Sequence, residues 1–181
     1  MNLRPATPAD LELIASLHAE SWRTAYRGMY PDDYLDNDVI QDRLLVWQDR
    51  MRVRADNQGV IVAEGDAMIE GFICVYGDDD RQWGSLIDNL HVAPHLKRGG
   101  IGTLLMREGA AWLRDHYPSS GAYLWALEAN APARSFYERL GAREAETVQT
   151  ETAGGGHAMS CRYVWPAPEA LYRACLPLDR A

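Results

Sequence analysis

One stretch of this 181-residue chain concentrates groups that hold an anion. Gly99, Gly100 and Gly102 fall within four positions, after the apolar run ending Leu90-His91-Val92 and ahead of the helical pattern that begins Ile101-Gly102-Thr103-Leu104-Leu105. Glycines at such a strand-to-helix junction leave successive backbone N–H groups unobstructed, and the helix start adds roughly half a positive charge. Lys97, the only lysine, and Arg98 add two formal charges. A pyrophosphate would be well held there. Two other phosphate motifs are excluded. A nucleotide P-loop needs Gly-Lys before Ser or Thr, whereas Gly102 runs directly into Thr103, and the dinucleotide fingerprint needs a glycine where Leu105 stands. For the glycines alone, a tight turn needed only for geometry is an equally good reading.

Asn130, Ala133, Phe136, Tyr137 and Gly141 form a second pattern, Asn-x-x-Ala-x-x-Phe-Tyr-x-x-x-Gly. Taken with Lys97-Arg98-Gly99-Gly100-Ile101-Gly102, read as Arg/Gln-x-x-Gly-x-Gly/Ala after a strand, it resembles the GNAT superfamily of acyl-CoA-dependent N-acetyltransferases. The similarity extends more weakly from Leu3 to about Val164. Lys97 departs from the pattern: it keeps the charge of the usual arginine but loses the bidentate fork.

The resemblance implies acetyl-CoA as cosubstrate, no metal, and direct attack of an uncharged amine on the thioester in a ternary complex. The backbone of Leu90, His91 and Val92 would meet the pantetheine arm and polarise the thioester carbonyl. Residues Lys97, Arg98, Gly99, Gly100, Ile101, Gly102 and Thr103 would hold the pyrophosphate. Asn130 would bond the cofactor, and equally fits a helix N-cap before Ala131-Pro132. Tyr137 would protonate the departing thiolate. With ordinary values of about 10 for tyrosine and 8.5 for a thiol, that transfer is uphill by about 2 kcal/mol. As a buried neighbour of Phe136, Tyr137 also has a purely structural reading.

The base is open: Asp88 in the strand, Asn89 holding a water, Glu128, Glu20 and His18 are all candidates. His91 alternates with Leu90 and Val92 and reads as a strand-face residue rather than a base. Substrate contacts are expected from Trp22, Tyr26 and Tyr30, with Asp32 and Asp33 nearby, and from the Gly154-Gly155-Gly156 loop. Such an aromatic and acidic wall would suit a small-molecule or peptide amine. Competing functions are a catalytically silent acyl-CoA sensor and a transferase for longer acyl chains.

These residues need elements to position them. Thr7-Pro8-Ala9-Asp10 signals a helix start, with Leu11, Ile14, Leu17 and His18 at helical spacing to about Ser21. A second helix, roughly Asp38 to Arg54, offers Val39, Leu44, Leu45 and Trp47 for burial. Val60 to Ala63 and Met68 to Tyr76 read as a hairpin across Glu64-Gly65-Asp66-Ala67, and Asp78-Asp79-Asp80 as a polar loop. Ser85 to Val92 reads as a strand, Ile101 to His116 as a helix, Ala122 to Leu127 as a strand and Ala131 to Leu140 as a helix closed by Gly141. Strands at Arg143 to Thr150 and His157 to Trp165 flank the triple glycine. The tail 166–181 reads as irregular, with one helical turn at Glu169 to Ala174. The fold class is α/β, a mixed and mostly antiparallel sheet of about seven strands flanked by about four helices, in one domain with a core of about 3–165.

Composition is that of an ordinary folded globular chain. Hydrophobic residues are 47% and charged residues 24%, which fits neither a disordered nor a fibrous chain. No stretch approaches the ~20 apolar residues of a membrane span, and the start MNLRPATPAD lacks a signal-peptide core. Cys74, Cys161 and Cys175 lack metal or redox spacing, so a reducing cytoplasm is the expected setting. The net charge of -8 is concentrated early, with 7 Arg against 16 acids in residues 1–80 and 11 Lys plus Arg against 10 acids thereafter. Nucleic acid is therefore an unexpected partner, while an acidic first half would draw a cationic substrate if it does more than face solvent. The aromatic tail around Tyr163, Trp165 and Tyr172 offers either a homodimer interface or a cover for its own sheet.

Overall fold

A computed structural model describes residues 1–66 and 68–177 of the chain. The elements run β1 (Asn2–Pro5), α1 (Leu11–Ala25), α2 (Val39–Arg52), β2 (Gln58–Glu64), β3 (Ile69–Asp80), β4 (Gly84–Val92), α3 (Ile101–His116), β5 (Ala122–Leu127), α4 (Ala131–Arg139), β6 (Arg143–Glu151), β7 (His157–Trp165) and α5 (Pro168–Ala174). A 3-10 turn, Pro8–Asp10, leads into α1, and a π-helical turn, Tyr34–Asp38, leads into α2. The seven strands are ordered β1-β2-β3-β4-β5-β7-β6, and every neighbouring pair is antiparallel except β4 with β5.

The continuous apolar runs of β2 and β3 follow from burial on both faces. Val60, Val62, Phe72 and Cys74 pack with Ile14, Leu17 and Trp47 under α1 and α2. Ile73 and Val75, the alternate residues of β3, pack with Leu105, Met106 and Leu113 of α3.

Several boundaries differ from the sequence reading. The first helix continues past Ser21 to Ala25, which puts Trp22 on a helix rather than in a junction. Leu45 is 55% exposed because it lies on the outer face of α2, opposite Val39 and Trp47. β1 carries too little apolar pattern to be seen, and is held by pairing with β2 and by Arg4, which bridges Asp10 and Glu64 at 2.8 Å each. Asp78-Asp79-Asp80 is not a loop but the end of β3: Asp80 pairs with Gly84, and its carboxylate accepts from the amides of Gln82 and Trp83, closing the turn. Ala67, part of the expected hairpin turn, and 178–181, the end of the tail, lie outside the described residues.

The tail is less irregular than expected. Pro168 opens α5, which packs on α3 and buries Leu171 completely. Tyr163 and Trp165 are buried inside the chain, Trp165 Nε1 donating to Leu140 O at 2.8 Å, and Arg114 lies 4.4 Å over Tyr172. Of the three aromatics, Tyr163 and Trp165 are thus spent within their own chain, as the covering reading expected. At the opposite end, Gly154 (φ +81°) lies so close to Tyr34 that a Cβ would come within 2.5 Å of it, docking the β6–β7 loop on the α1–α2 junction.

Candidate active site

The site originates in a failure of strand pairing. β4 and β5 are in register only at Ser85↔Ala122 and Leu86↔Tyr123, although β4 runs on to Val92 and β5 to Leu127. Beyond Leu86 the two strands diverge, so the β5-facing backbone of β4 has no ladder partner there. On its other edge β4 stays paired with β3, with a bulge at Asp88: Asn89 opposes Cys74 and Ile87 opposes Val75.

β4 then leads into the glycine turn. Arg98 (φ +70°) and Gly100 (φ +88°) both adopt left-handed backbone, and Gly100 caps α3. A side chain at 100 would meet nothing within 4 Å, so glycine is needed there for conformation and not for space. Among the described residues, the amides of Arg98, Gly100, Ile101, Gly102 and Thr103 donate to no backbone or side-chain acceptor. Lys97 and Arg98 are exposed beside them. The residues therefore fit a pyrophosphate: free donors, the α3 dipole and two cations share one turn.

The two sequence patterns meet in space. Phe136 of α4 lies 3.5 Å from where a Cβ of Gly102 would stand, so α4 rests against the start of α3. Asn130 caps α4, its Oδ1 accepting from Ala133 N at 3.3 Å. The capping reading of Asn130 is therefore realised, and its side-chain amide N–H groups remain available to a ligand.

Between the diverging strands lies a cavity of about 230 Å³. Its wall brings together Trp22, Tyr26, Asp88, Asn89, Leu90, His91 and Tyr137 from among the expected residues. Tyr30 is one layer out, stacked on Tyr26 at 4.9 Å and edge-on to Trp22 at 5.3 Å. Burial pushes the Tyr137 hydroxyl up to about 12 and raises Tyr26 and Tyr30 as well.

His91 faces α1, where Nδ1 meets Ser21 Oγ at 2.9 Å and the ring lies 4.3 Å from that of His18. Burial, aided by Lys97 and Arg43, pushes His91 down to about 3, and burial together with His91, Arg43 and Arg50 holds His18 well below its ordinary value, so both rings are neutral near pH 7. His18 is wholly buried, and Trp47 Nε1 donates to its Nδ1 at 3.0 Å, which commits it to the core. Glu20 and Glu128 are exposed and do not line the cavity. Asp88 does line it, but with Oδ2 2.6 Å from Arg50 Nη1, while the same nitrogen donates to Asn89 Oδ1 at 2.7 Å.

The expected acidic wall is absent from the cavity. Asp32 is paired with Arg27 at 3.1 Å on the surface, and Asp33 accepts from Asn37. The wall instead includes Arg43 and Arg50 of α2, which sequence reasoning missed, and Trp125 of β5. A signal was present: Arg43, Trp47 and Arg50 fall at i, i+4 and i+7, one face of a helix whose Trp47 was already expected to be buried. The three cysteines are buried and free, and none of them lines the cavity. Among the described residues no cluster could hold a metal, and no helix is long and apolar enough to cross a membrane.

Comparison with known proteins agrees with this geometry. The model of the acetyltransferase (GNAT) family matches residues 16–142. "Uncharacterized N-acetyltransferase YuaI" of Bacillus subtilis is 28% identical over 158 residues, 85% of this chain and 87% of that protein. "Probable N-acetyltransferase Rv2775" of Mycobacterium tuberculosis is 30% identical over 141 residues, 77% of this chain and 78% of that one. The fold is shared with yncA of Salmonella typhimurium, solved with its cofactor acetyl-CoA, at a TM-score of 0.65 and 17% identity over 91% of this chain and 92% of that one. The chain is therefore a member of the GNAT family of acetyltransferases.

Proposed function

We propose that the protein transfers an acetyl group from acetyl-CoA to a small primary amine bound between β4 and β5. The observation that carries this reading is the divergence of β4 from β5 directly ahead of a turn with a row of free amides. An extended thioester arm could lie along the unpaired edge of β4 while its pyrophosphate sits on the turn. A sensor needs only the turn, whereas this chain also places a buried phenol at the cavity.

Acetyl-CoA supplies the acetyl group: its C–S bond breaks as a C–N bond forms, the amine gives up one proton and the thiolate takes one. Amides of Arg98, Gly100, Ile101, Gly102 and Thr103 bind the pyrophosphate, and Asn130 bonds the pantetheine. Leu90, His91 and Val92 contribute backbone groups on the open edge of β4. Tyr137 donates the proton to sulfur. With its hydroxyl pushed up to about 12, full transfer to an ordinary thiol of about 8.5 would cost roughly 5 kcal/mol, more than the sequence-based value. Desolvation of the thiolate beside Tyr137 would raise its own proton affinity and narrow that gap.

The amine's proton leaves on the Asp88–Asn89 side of the cavity. Trp22 and Tyr26 form the aromatic wall that excludes water from the acceptor. Amine-dependent release of CoA, with the acetylated amine identified by mass spectrometry, tests the proposal. Hydrolysis of acetyl-CoA at one rate with and without every amine would oppose it.

A further inference from the structure

The cavity carries a charge that its own wall does not neutralise. Two guanidinium groups line it, those of Arg43 and Arg50, against one carboxylate, Asp88. Arg50 and Asp88 pair their charges at 2.6 Å, although Asp88 Oδ2 accepts no well-oriented hydrogen bond. Arg43 is left over. Its side chain is 12% exposed, its Cζ lies 4.1 Å from the Trp22 ring centroid, and its buried Nε has no hydrogen-bond partner among the described residues. Nη2 reaches Asp42 Oδ2 at 3.0 Å, but that carboxylate also accepts from the Tyr34 hydroxyl and is not part of the cavity wall. A buried cationic N–H without an acceptor is costly, and an arginine fork is shaped for a planar anion.

We infer that the acceptor is a small primary amine carrying its own anion, a carboxylate or phosphonate, which Arg43 binds at the aromatic end of the cavity. The inference rests on the transfer reaction proposed above and names its substrate class. Size points the same way. A cavity of about 230 Å³ falls below the roughly 300–1,000 Å³ of pockets that bury drug-sized ligands, and suits a molecule on the scale of an amino acid. A polycationic acceptor is disfavoured, because its charges would face Arg43 while Asp32 and Asp36 of the α1–α2 segment are paired with Arg27 at the surface. The net charge of the chain and the charge of its cavity therefore have opposite signs.

The test is a panel assayed with acetyl-CoA on the full chain: the standard α-amino acids and aminomethylphosphonate, the carboxamides of the same amino acids, and spermidine and kanamycin as polycations. At least one anionic amine is expected to exceed its carboxamide in kcat/KM by about 10- to 100-fold, the worth of a charge-assisted hydrogen bond. Arg43→Gln should collapse that ratio through KM, and Arg43→Lys, which keeps the charge without the fork, should restore part of it. The inference is overturned if carboxamides or polycations are preferred. It is overturned equally if protein that binds acetyl-CoA acetylates none of the acids, or if Arg43→Gln leaves the ratio unchanged. Failure to bind acetyl-CoA at all, read by calorimetry, would instead remove the transfer reading beneath it.

Discussion

Arg50 holds Asp88 across the gap between α2 and β4, with Nη1 2.6 Å from Oδ2 and a second bond from the same nitrogen to Asn89. The pair ties the helix that carries Arg43 to the bulged strand at the centre of the sheet. Both side chains are about a quarter exposed, so breaking the pair costs less than the 3–5 kcal/mol of a fully buried one. Asp88→Asn should lower stability by about 1–3 kcal/mol after allowance for solvent screening. Urea unfolding of both single variants and of Asp88→Asn with Arg50→Gln checks it. The double variant should be more stable than the sum of the singles predicts, whereas strict additivity would mean that the pair is not coupled.

Tyr137→Phe should lower kcat by about 10²- to 10⁴-fold, the usual contribution of a positioned acid, with acetyl-CoA affinity unchanged within about threefold. Burial disfavours the phenolate and lifts the hydroxyl to about 12, so the proton-donating form persists through any ordinary assay range. The kcat profile of the wild type should therefore show no alkaline fall below about pH 11 arising from this residue. A rate that survives the substitution removes Tyr137 from the chemistry.

How far the sequence reached can be judged residue by residue. Asn130 announced its cap through Pro132, and Gly100 announced a turn through the glycines around it, because both signals are local. Arg43 and Arg50 could be placed on the Trp47 face of their helix but not in the site, because helical periodicity says which face they share and not what that face meets. The divergence of β4 from β5 was equally hidden, since pairing depends on partners far apart in sequence. Asp78–Asp80 misled for a physical reason: three acids suggest solvent, yet the strand runs on to Asp80, which pairs with Gly84 while its carboxylate closes the turn.

Acid should loosen the fold through His91. Its folded value of about 3 lies below the ordinary 6.5, so between those limits the unfolded chain binds more protons and stability rises with pH. The contribution of the neutral ring is complete above about pH 6.5 and is lost as pH falls toward 3, at up to about 1.4 kcal/mol per pH unit. His18, lowered in the same direction, adds to the slope. Urea midpoints at pH 7 and 4.5 should differ less in His91→Gln than in the wild type. An equal difference in both would assign the acid sensitivity elsewhere, such as to His18, whose buried ring is held well below its ordinary value and would lose stability over the same range.

The glycines of the turn should separate by role. Gly100→Ala forces a side chain into left-handed backbone at a cost of about 1–2 kcal/mol, and should weaken acetyl-CoA binding by roughly 5- to 30-fold as the turn relaxes. Gly102→Ala places its Cβ 3.5 Å from Phe136, an ordinary contact, and should leave affinity within about threefold. Equal losses in the two variants would contradict a conformational role for Gly100.

The central claim is that the turn from Lys97 to Thr103 and the open edge of β4 together bind acetyl-CoA. The most direct measurement is a calorimetric titration of acetyl-CoA into the purified protein, with free CoA and ATP in parallel. Saturable heat from acetyl-CoA and CoA at one site per chain, with none from ATP, is the predicted result. No heat up to millimolar acetyl-CoA, or an equal response to ATP, would contradict it, and the free amides of the turn would then be a feature of the fold alone.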